Sequence, residues 1–256
     1  MNPKVTIIIP TYNRADLLPQ ALESALIQDF TDYEILVLDD ASIDNTHEII
    51  LPYLKDNRIR YIKHPKNIGI NSNRNYGLSV AKGEYIAMLD SDDTWISNTK
   101  LKRQKEILDM HPDIALVGTY CSIINTKNEK LGEIRTHSAD SSIRKNMMII
   151  NQFVQSSVLI RKQVLDQIGY YDNNIPIWED YELWLRIGEK FRLMNISELL
   201  TGYRVHAGNI SKLSEQKCIK SYSMIYKLYK NKYPNSWVLL SKIWVKKLIF
   251  NLKHFS

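Results

Sequence analysis

The sequence predicts an α/β fold in which a sheet is flanked by helices and followed by a basic helical tail. Strand-like and helix-like patterns alternate through about the first 90 residues, as is typical of a doubly wound nucleotide-binding sheet. The 256 residues are 44% hydrophobic and 24% charged, so they can form one large domain with an appendage. The net charge of +6 is uneven, because residues 216–256 contain nine lysines and no acidic residue, whereas residues 1–215 carry a net −3.

The first half of the chain has the clearest pattern. Residues 5–9 are a continuous, β-branched run, which is typical of a strand buried on both faces of a parallel sheet. Apolar residues at helical spacing from Leu17 to Leu26 predict the next helix, and Pro19 is tolerated in its first turn. Further strands are predicted at residues 34–38, 58–62 and 85–89, with helices at 45–54 and from Gly69 to Ala81 between them.

The second half is less regular. Helices are predicted at residues 98–110 and from Trp178 onward, and strands at 114–118, 156–160 and 199–206. Residues 125–143 are polar and have no clear period, so we expect a loop or mobile segment there. The chain after residue 206 is expected to be helical and basic.

Polar side chains follow three of the predicted strands where each strand ends. They lie at residues 11–13 after the first strand, at Asp39 and Asp40 after the second, and at residues 90–92 after the fourth. Right-handed crossovers bring such ends to one edge of the sheet, where open α/β sheets bind ligands. The three clusters therefore predict a single pocket.

The last of these clusters is a D-x-D pattern. Asp90 and Asp92 lie two residues apart and Asp93 follows directly. Carboxylates this close repel one another, and a hard divalent cation is the usual way to neutralise them. The alternative, which so short a pattern leaves open, is a solvated turn before the next helix.

Several classes of site are not supported. Neither G-x-G-x-x-G nor G-x-x-x-x-G-K-[ST] occurs, so phosphates would have to be held by a metal and by side chains. Cys121 and Cys218 lie far apart, which indicates neither a disulfide framework nor a zinc site and fits a reducing cytoplasm. The apolar run near the N-terminus is too short for a signal peptide or a membrane span. The basic residues concentrate in the tail, so no nucleic-acid partner is expected.

Six short stretches together resemble the family 2 glycosyltransferases, the inverting, nucleotide-sugar-dependent enzymes with the GT-A fold. They run in the order of that family from residue 5 to about residue 211. The resemblance implies a GT-A type mixed sheet in residues 1–208, with 1–97 as the nucleotide-binding half and 98–208 as the acceptor half. The stretches are Pro10-Thr11-Tyr12-Asn13-Arg14, Asp39-Asp40-Ala41-Ser42 with Asp44, Asn67-Ile68-Gly69 with Arg74-Asn75, Leu89-Asp90-Ser91-Asp92-Asp93, Trp178 to Arg186, and Tyr203-Arg204-Val205-His206.

The resemblance implies a donor site for a UDP-sugar. A tyrosine face can stack on uracil, and a carboxylate can accept from its imide N–H. A guanidinium suits a base edge or a pyrophosphate, although an ordinary surface charge stays open for Arg74. The implied uridine pocket is Pro10, Tyr12 and Asp40, and the residues implied to border the nucleotide are Asn67 and Arg74. The other residues implied to bind the donor are Thr11, Asn13, Asp90, Ser91 and Arg204.

The resemblance also implies a metal ion and a catalytic base. Asp90 and Asp92 resemble the pair that holds Mn²⁺ or Mg²⁺, between which the sequence does not choose. His206 resembles a residue near the leaving diphosphate that donates to phosphate or binds the metal; a merely packed histidine is the alternative. Asp180 resembles the base, with Glu179 in support, while acids that merely favour a helix start are the other interpretation.

The tail, residues 209–256, combines tryptophans with lysines. Lys242, Lys246 and Lys253 share one helical stripe beside Trp237 and Trp244, which fits a helix lying in an anionic membrane surface. The lysines argue against a spanning helix. Packing on the catalytic domain, or on a second copy in a homodimer, is the alternative.

The predicted activity is transfer of a sugar from a UDP-sugar to a hydroxyl of a glycan or lipid-linked acceptor. Together with the composition, the resemblance places this reaction in bacterial surface polysaccharide or oligosaccharide synthesis, on the cytoplasmic face of the membrane. Residues 125–155 carry no motif of the family, so the acceptor stays open.

A metal-dependent nucleotidyltransferase lacks support because no glycine-rich phosphate loop occurs. A non-catalytic sugar-nucleotide-binding module would be expected to lack Asp180 or the D-x-D pair.

Overall fold

The protein has alternating strands and helices in its first half and a mixed arrangement in its second. The computed structural model describes residues 2–206 and 215–254, with side chains up to residue 250. The elements up to residue 110 are β1 (Val5–Thr11), α1 (Leu18–Leu26), β2 (Tyr33–Asp39), α2 (Thr46–Ile50), β3 (Ile59–Lys63), α3 (Ile70–Val80), β4 (Tyr85–Met88), β5 (Thr94–Trp95) and α4 (Lys100–Met110). They are followed by β6 (Ile114–Ile124), β7 (Lys130–Ile134), α5 (Asp140–Asn146), β8 (Leu159–Arg161), α6 (Lys162–Ile168), α7 (Glu179–Lys190), β9 (Arg192–Arg204), α8 (Glu215–Tyr229) and α9 (Ser236–His254).

The strands of the described residues form one mixed sheet. Their order is β3-β2-β1-β4-β8-β6-β9-β5, and β7 pairs with β6 beside this path. β1 to β4 are parallel, as the strand–helix alternation predicts. β8 runs antiparallel to both β4 and β6, and β9 is parallel to β6. The mixed sheet flanked by helices that the resemblance implies is therefore confirmed.

Two apolar clusters cover the two faces of the sheet. Along β1, Ile7 and Ile9 join the cluster that contains Leu22 of α1, whereas Ile8 joins the cluster that contains Trp184 of α7. Successive side chains of a strand point to opposite faces, so a run that is apolar at every position is buried on both. The predicted burial of residues 5–9 is confirmed.

Three predictions about local structure were wrong. The helix predicted at 45–54 ends at Ile50, and a 3₁₀-helix (Leu51–Lys55) replaces its second half because Pro52 cannot continue the α-helical hydrogen bonds. The predicted strand at 156–160 is instead a 3₁₀-turn (Gln155–Ser157) followed by β8. Residues 125–143 are not a simple loop, since β7 pairs antiparallel with β6 and α5 begins at Asp140.

The last strand is longer than predicted. β9 begins at Arg192 rather than near residue 199 and runs beside β6 along most of its length. Its register shifts at Thr119 and Tyr120 of β6, which breaks the regular alternation of its first residues. That irregularity hides the start of the strand from a pattern of period two.

The two C-terminal helices pack on the sheet domain. Ile225 and Tyr229 of α8 and Leu239 and Ile243 of α9 belong to the same apolar cluster as Trp184 of α7. The tail thus contributes to the core on one side. Along the parts of the chain that are described, no helix has both the length and the apolar character needed to cross a membrane.

Candidate active site

The three polar clusters meet at one edge of the sheet. Thr11 at the end of β1 is in register with Asp39 at the end of β2, and the N–H of Asp40 donates to the carbonyl of Thr11 at 2.9 Å. β4 runs parallel beside β1, and the N–H of Leu89 donates to the carbonyl of Ile8 at 3.0 Å. Asp90 therefore follows β4 at the same edge, as predicted.

The loop after β1 presents one aromatic ring to solvent. Tyr12 is 44% exposed, whereas Pro10 and Thr11 are buried. The Oγ1 of Thr11 has no hydrogen-bond partner in the described part of the chain. Asn13 has a φ of 51° and joins this loop to the next one, because its Oδ1 accepts from the N–H of Ile43 at 2.9 Å. The ring of Tyr12 is therefore open to solvent at the edge of the sheet.

Asp40 fixes the neighbouring loop. Its two carboxylate oxygens accept from the N–H groups of Ile68 at 2.7 Å and Gly69 at 3.0 Å. Gly69 has a φ of 86°, which favours glycine, and stands directly before α3. Asn67 is exposed and its Oδ1 also accepts from the N–H of Gly69, at 3.1 Å. Asp40 and Asn67 thus lie together at the edge of the site.

Asp92 lies beside two cationic or titratable groups. Its Oδ2 is 2.9 Å from Nε2 of His206 and 3.8 Å from Nε of Arg14. The side chain of Asp92 is 20% exposed and that of Asp90 is 24% exposed, so both reach the surface of the edge. His206 therefore lies in contact with Asp92 of the D-x-D pair, and its role at the diphosphate or the metal stays a prediction.

Asp93 has a different position from the other two acids. It is buried, its Oδ1 accepts from the N–H of Arg204 at 2.8 Å, and its Oδ2 accepts from the hydroxyl of Ser156 at 2.5 Å. The Oγ of Ser156 in turn accepts from the N–H of Asp90 at 3.0 Å. Burial, together with the charges of Asp92 and Asp90, raises the pKa of Asp93 well above its usual value. Asp93 organises the loop from inside.

Arg204 supports the D-x-D loop from behind. Its side chain is fully buried, and its guanidinium donates to the carbonyls of Asp92 and Asn125, each at 2.7 Å, and to Oε1 of Gln20 at 2.9 Å. Burial lowers the pKa of Arg204. These contacts hold the D-x-D loop, and the expected contact of Arg204 with the nucleotide stays a prediction. Ser91, also expected to border the nucleotide, is 5% exposed.

Arg74 joins the D-x-D loop to the start of α7. It is 5% exposed, its NH2 donates to Oδ1 of Asp90 at 2.7 Å, and its NH1 donates to Oε1 of Glu179. Burial opposes the charge of Arg74, but the carboxylates of Asp90 and Glu179 outweigh it and raise the pKa of the guanidinium. The alternative of an ordinary surface charge is therefore wrong. The predicted contact of Arg74 with the nucleotide stays a prediction.

Asp180 lies in the first turn of α7, next to Glu179. Its Oδ1 accepts from its neighbour's N–H, that of Tyr181, at 2.7 Å, and its Oδ2 accepts from Nδ2 of Asn151 at 3.2 Å. Burial of the carboxyl group, with the nearby charge of Glu179, raises the pKa of Asp180 to about 7. A carboxyl group with this pKa can take up and release a proton near neutral pH.

The carboxylates at the edge fit a divalent cation that is also bound by the phosphate oxygens of a substrate. Within residues 2–206 and 215–254, no group of three or more His, Cys, Asp or Glu side chains is arranged to hold a metal ion. Mg²⁺ typically keeps several waters and takes one or two carboxylates plus substrate phosphates, so two acids suffice. Asp90 and Asp92 supply such a pair on the exposed edge.

Comparison with known proteins decides the family. Residues 6–169 match the family model described as glycosyl transferase family 2. The chain belongs to glycosyltransferase family 2. A relative of similar length is the UDP-Glc:alpha-D-GlcNAc-diphosphoundecaprenol beta-1,3-glucosyltransferase WfaP of Escherichia coli, which is 35% identical over 225 residues, 86% of this chain and 85% of WfaP. The reaction of this family 2 member is glycosyl transfer.

Solved structures agree with this glycosyltransferase fold. The crystal structure of S. aureus TarS 1-349 in complex with UDP-GlcNAc has a TM-score of 0.73 at 20% identity, covering 96% of this chain and 73% of the TarS chain. The mannosyltransferase PcManGT from Pyrobaculum calidifontis, in complex with GDP-Man and Mn²⁺, has a TM-score of 0.70 at 17% identity, covering 95% and 70%. At these identities the likeness shows the fold, which is the GT-A fold.

Four side chains of the site were not assigned from the sequence. Arg14 and Asp93 lie inside matching stretches of this glycosyltransferase, so their neighbours could have pointed to them. Ser156 and Asn151 carry no such signal, because they lie in or next to the segment without a family motif. Only the fold brings Ser156 against Asp90 and Asn151 against Asp180.

Proposed function

We propose that this glycosyltransferase moves a sugar from a UDP-sugar to a hydroxyl group, with inversion at the sugar C1. The observation that carries the proposal is the pair of contacts made by Arg74, to Asp90 on the donor edge and to Glu179 beside Asp180. One buried cation thus fixes the distance between a donor site and a carboxylate that can act as base. Fixed relative positions of the reacting groups are what a direct displacement requires.

Asp180 would serve as the base. It would take the proton of the acceptor hydroxyl as that oxygen attacks C1 from the face opposite the leaving UDP, so no second nucleophile is needed. A pKa of about 7 allows the carboxylate form at neutral pH while keeping it basic enough to accept a proton. Asn151 would orient the carboxylate through its contact with Oδ2.

Asp90 and Asp92 would hold Mn²⁺ or Mg²⁺. When bound, such an ion neutralises the charge that develops on the leaving diphosphate. The Mn²⁺ of the PcManGT complex supports a divalent cation in this fold without choosing the metal for this protein. His206 and Arg14 lie against Asp92, where they would contact the diphosphate or, in the case of His206, the metal.

The residues after β1 and β2 would bind the nucleoside. Tyr12 offers an exposed ring for stacking, and Asp40 and Asn67 border the same edge. Pro10, Thr11 and Asn13 shape that loop. A UDP-sugar is favoured by the names of WfaP and of the TarS complex, whereas the PcManGT complex contains GDP-Man, so the base itself must be tested.

The acceptor would be a glycan or a lipid-linked sugar in the synthesis of a bacterial surface polysaccharide or oligosaccharide. The name of WfaP, which describes transfer to a diphosphoundecaprenol-linked sugar, supports this class. Such an acceptor lies at a membrane, and the enzyme would therefore act as a peripheral protein on the cytoplasmic face.

The outward side of α9 would provide the membrane contact. Leu239 and Ile243 face the core, whereas the opposite side has four exposed apolar residues at helical spacing, which we term the α9 outer stripe: Trp237 (69% exposed), Trp244 (68%), Val245 (55%) and Leu248 (62%). Exposed tryptophans on a helix with lysines suit the interface of an anionic bilayer.

The structure revises how the lysines contribute to this contact. Lys242 is half-buried, and its Nζ donates to the carbonyl of Ile149, so Lys242 lies beside the packed face of α9. The apolar residues point outward, with Lys247 exposed at their margin. Burial of the tryptophans would therefore dominate membrane binding, and attraction of lysines would assist it. A second copy of the chain is the competing occupant of the stripe.

The experiment that tests the proposed function uses donor hydrolysis. The protein is incubated with a panel of UDP-sugars and GDP-sugars in the presence of Mn²⁺, and slow release of the nucleotide is scored for each donor. We expect one UDP-sugar to be hydrolysed faster than all others. Turnover of GDP-sugars alone would overturn the assignment of the nucleoside, and equal turnover of UDP-sugars and GDP-sugars would contradict a preference for uridine.

A further inference from the structure

Trp178, the residue directly before α7, has an unusual backbone conformation. Trp178 stands at the start of α7 with φ 60° and ψ 33°, the left-handed region. For a bulky residue with a Cβ atom this conformation is sterically unfavourable, so it persists only where surrounding contacts enforce it. Glu179 and Asp180 follow immediately, and the direction of their side chains depends on this turn.

Contacts from α8 hold that turn. The rings of Trp178 and Tyr222 are stacked, with centroids 4.0 Å apart and planes at 21°. The hydroxyl of Ser221, the residue before Tyr222, accepts from the N–H of Ile177 at 3.2 Å and is fully buried. Tyr222 therefore stacks on Trp178, and Ser221 accepts a hydrogen bond from Ile177. Two successive residues of α8 thus hold two successive residues of the turn.

The same helix is fixed to the body of α7. The hydroxyl of Tyr229 donates to Oε1 of Glu182 at 2.6 Å, and the hydroxyl of Tyr233, after α8, donates to the carbonyl of Leu185 at 2.7 Å. On the other side of the turn, Glu179 is held by Arg74. The first turn of α7 is thus clamped between α3 and α8, and the position of Asp180 depends on both.

We propose that Tyr222 and Ser221 are positioning residues, which keep Trp178 in its left-handed conformation and thereby aim the carboxylate of Asp180 at the acceptor. The proposal rests on Asp180 being the base, as proposed above. It makes α8 part of the reaction although the residue range matched by the family model ends at 169, before α7 and α8. In the described residues, Ser221 and Tyr222 contact Ile177 and Trp178 rather than the donor edge, so we expect donor binding to change much less than the transfer rate.

The test compares substitutions at Tyr222 with a matched control on the same helix. Tyr222→Ala removes the stacked ring, and we expect the kcat of transfer to fall by at least about tenfold, because a small misplacement of the base is costly. The Kd for UDP should stay within about twofold, since the donor edge is untouched. Tyr222→Phe keeps the stacked ring, so its kcat should be close to that of wild type. Tyr226→Ala removes another partly buried ring of α8 and should have a smaller effect on kcat.

A double substitution keeps the test decisive if Tyr222→Ala loses stability. Glycine adopts the left-handed region without strain, so in the Trp178→Gly background, removal of Tyr222 should change kcat by less than about threefold. The proposal would be overturned if Tyr222→Ala lowered kcat equally in the wild-type and Trp178→Gly backgrounds. It would also be overturned if Tyr222→Ala lowered kcat and UDP affinity by the same factor. Asp180→Asn separates the two proposals: if it is inactive while Tyr222→Ala is fully active, only the clamp fails, whereas an active Asp180→Asn refutes the base.

Discussion

Arg74 shows how single residues set the chemistry of this site. It is a buried cation whose charge is kept by Asp90, a proposed metal ligand, and by Glu179, which directly precedes the proposed base. Removing one partner of a buried ion pair leaves an uncompensated charge, which is strongly destabilising. Arg74 therefore contacts both the proposed donor side and the proposed base side, and its substitution alone cannot separate their effects.

At Asp92 the donor side can be tested separately. Asp92→Asn removes one of the two acids proposed to hold the metal, so UDP-sugar binding should weaken and residual transfer should require more Mn²⁺. The measurement is transfer rate as a function of Mn²⁺ concentration, with Asp16→Asn, an exposed acid, as control. If wild-type protein treated with a chelator keeps its full rate, no metal is needed and the assignment is wrong.

The raised pKa of Asp180 predicts how the transfer rate changes with pH. Its pKa is raised from about 3.9 in an unfolded chain to about 7 by burial and by Glu179, with Arg74 opposing the shift, and Asp90 and Tyr171 are the other charged or titratable groups around it. Below pH 7 the folded protein retains a proton on Asp180, so the base is blocked and transfer should rise as the pH increases through about 7.

The same shift affects stability. Between about pH 4 and 7 the folded protein binds a proton that the unfolded chain releases, so the contribution of Asp180 to the free energy of unfolding falls as the pH rises. Asp180→Asn removes this fall and should be more stable, relative to wild type, at pH 8 than at pH 5. Urea unfolding at both pH values measures the difference. The same relative stability at pH 5 and pH 8 would show that the pKa is not raised.

At the scale of elements, sequence patterns predicted best where a strand is buried on both faces. β1, β2 and β4 are largely apolar and buried at every position, and the polar residues that end them stand at the predicted edge. β7 escaped prediction because it is short, exposed at most positions and ordered by its pairing with β6. Such pairing depends on residues distant in sequence, which local periodicity does not report.

The α9 outer stripe is the element with the clearest separate test. Trp237→Ser, Trp244→Ser and Leu248→Ser together should abolish binding to vesicles that contain anionic lipid, while high salt should weaken wild-type binding only in part. These side chains are exposed, so thermal stability should change little. Met110→Ser removes an equally exposed apolar residue (67% exposed) on another helix and serves as control. A dimer that the triple variant converts to a monomer, without vesicle binding by wild type, would assign the stripe to a homodimer.

At the scale of the whole molecule, the sequence predicted the strand-end acids better than it predicted their neighbours. The D-x-D pair, Asp180 and His206 were named from motifs, and the fold brings His206 to 2.9 Å from Asp92. The burial of Arg204 was not foreseen, because its motif does not report burial, which depends on how β9 lies behind the D-x-D loop. The role of α8 was not foreseen either, because the contact between Tyr222 and Trp178 joins segments without a common pattern.

The central claim is that donor binding and proton removal depend on different residues held in one site. Its most direct test measures the transfer rate and the Kd for UDP on the same preparations of wild type and Asp180→Asn. Asparagine keeps the size of the side chain but cannot take a proton, so we expect transfer to fall at least about 10²-fold. The Kd for UDP should be nearly unchanged, because Asp180 lies on α7 and not at the strand ends. Retained transfer, or equal losses in rate and in UDP affinity, would contradict the account.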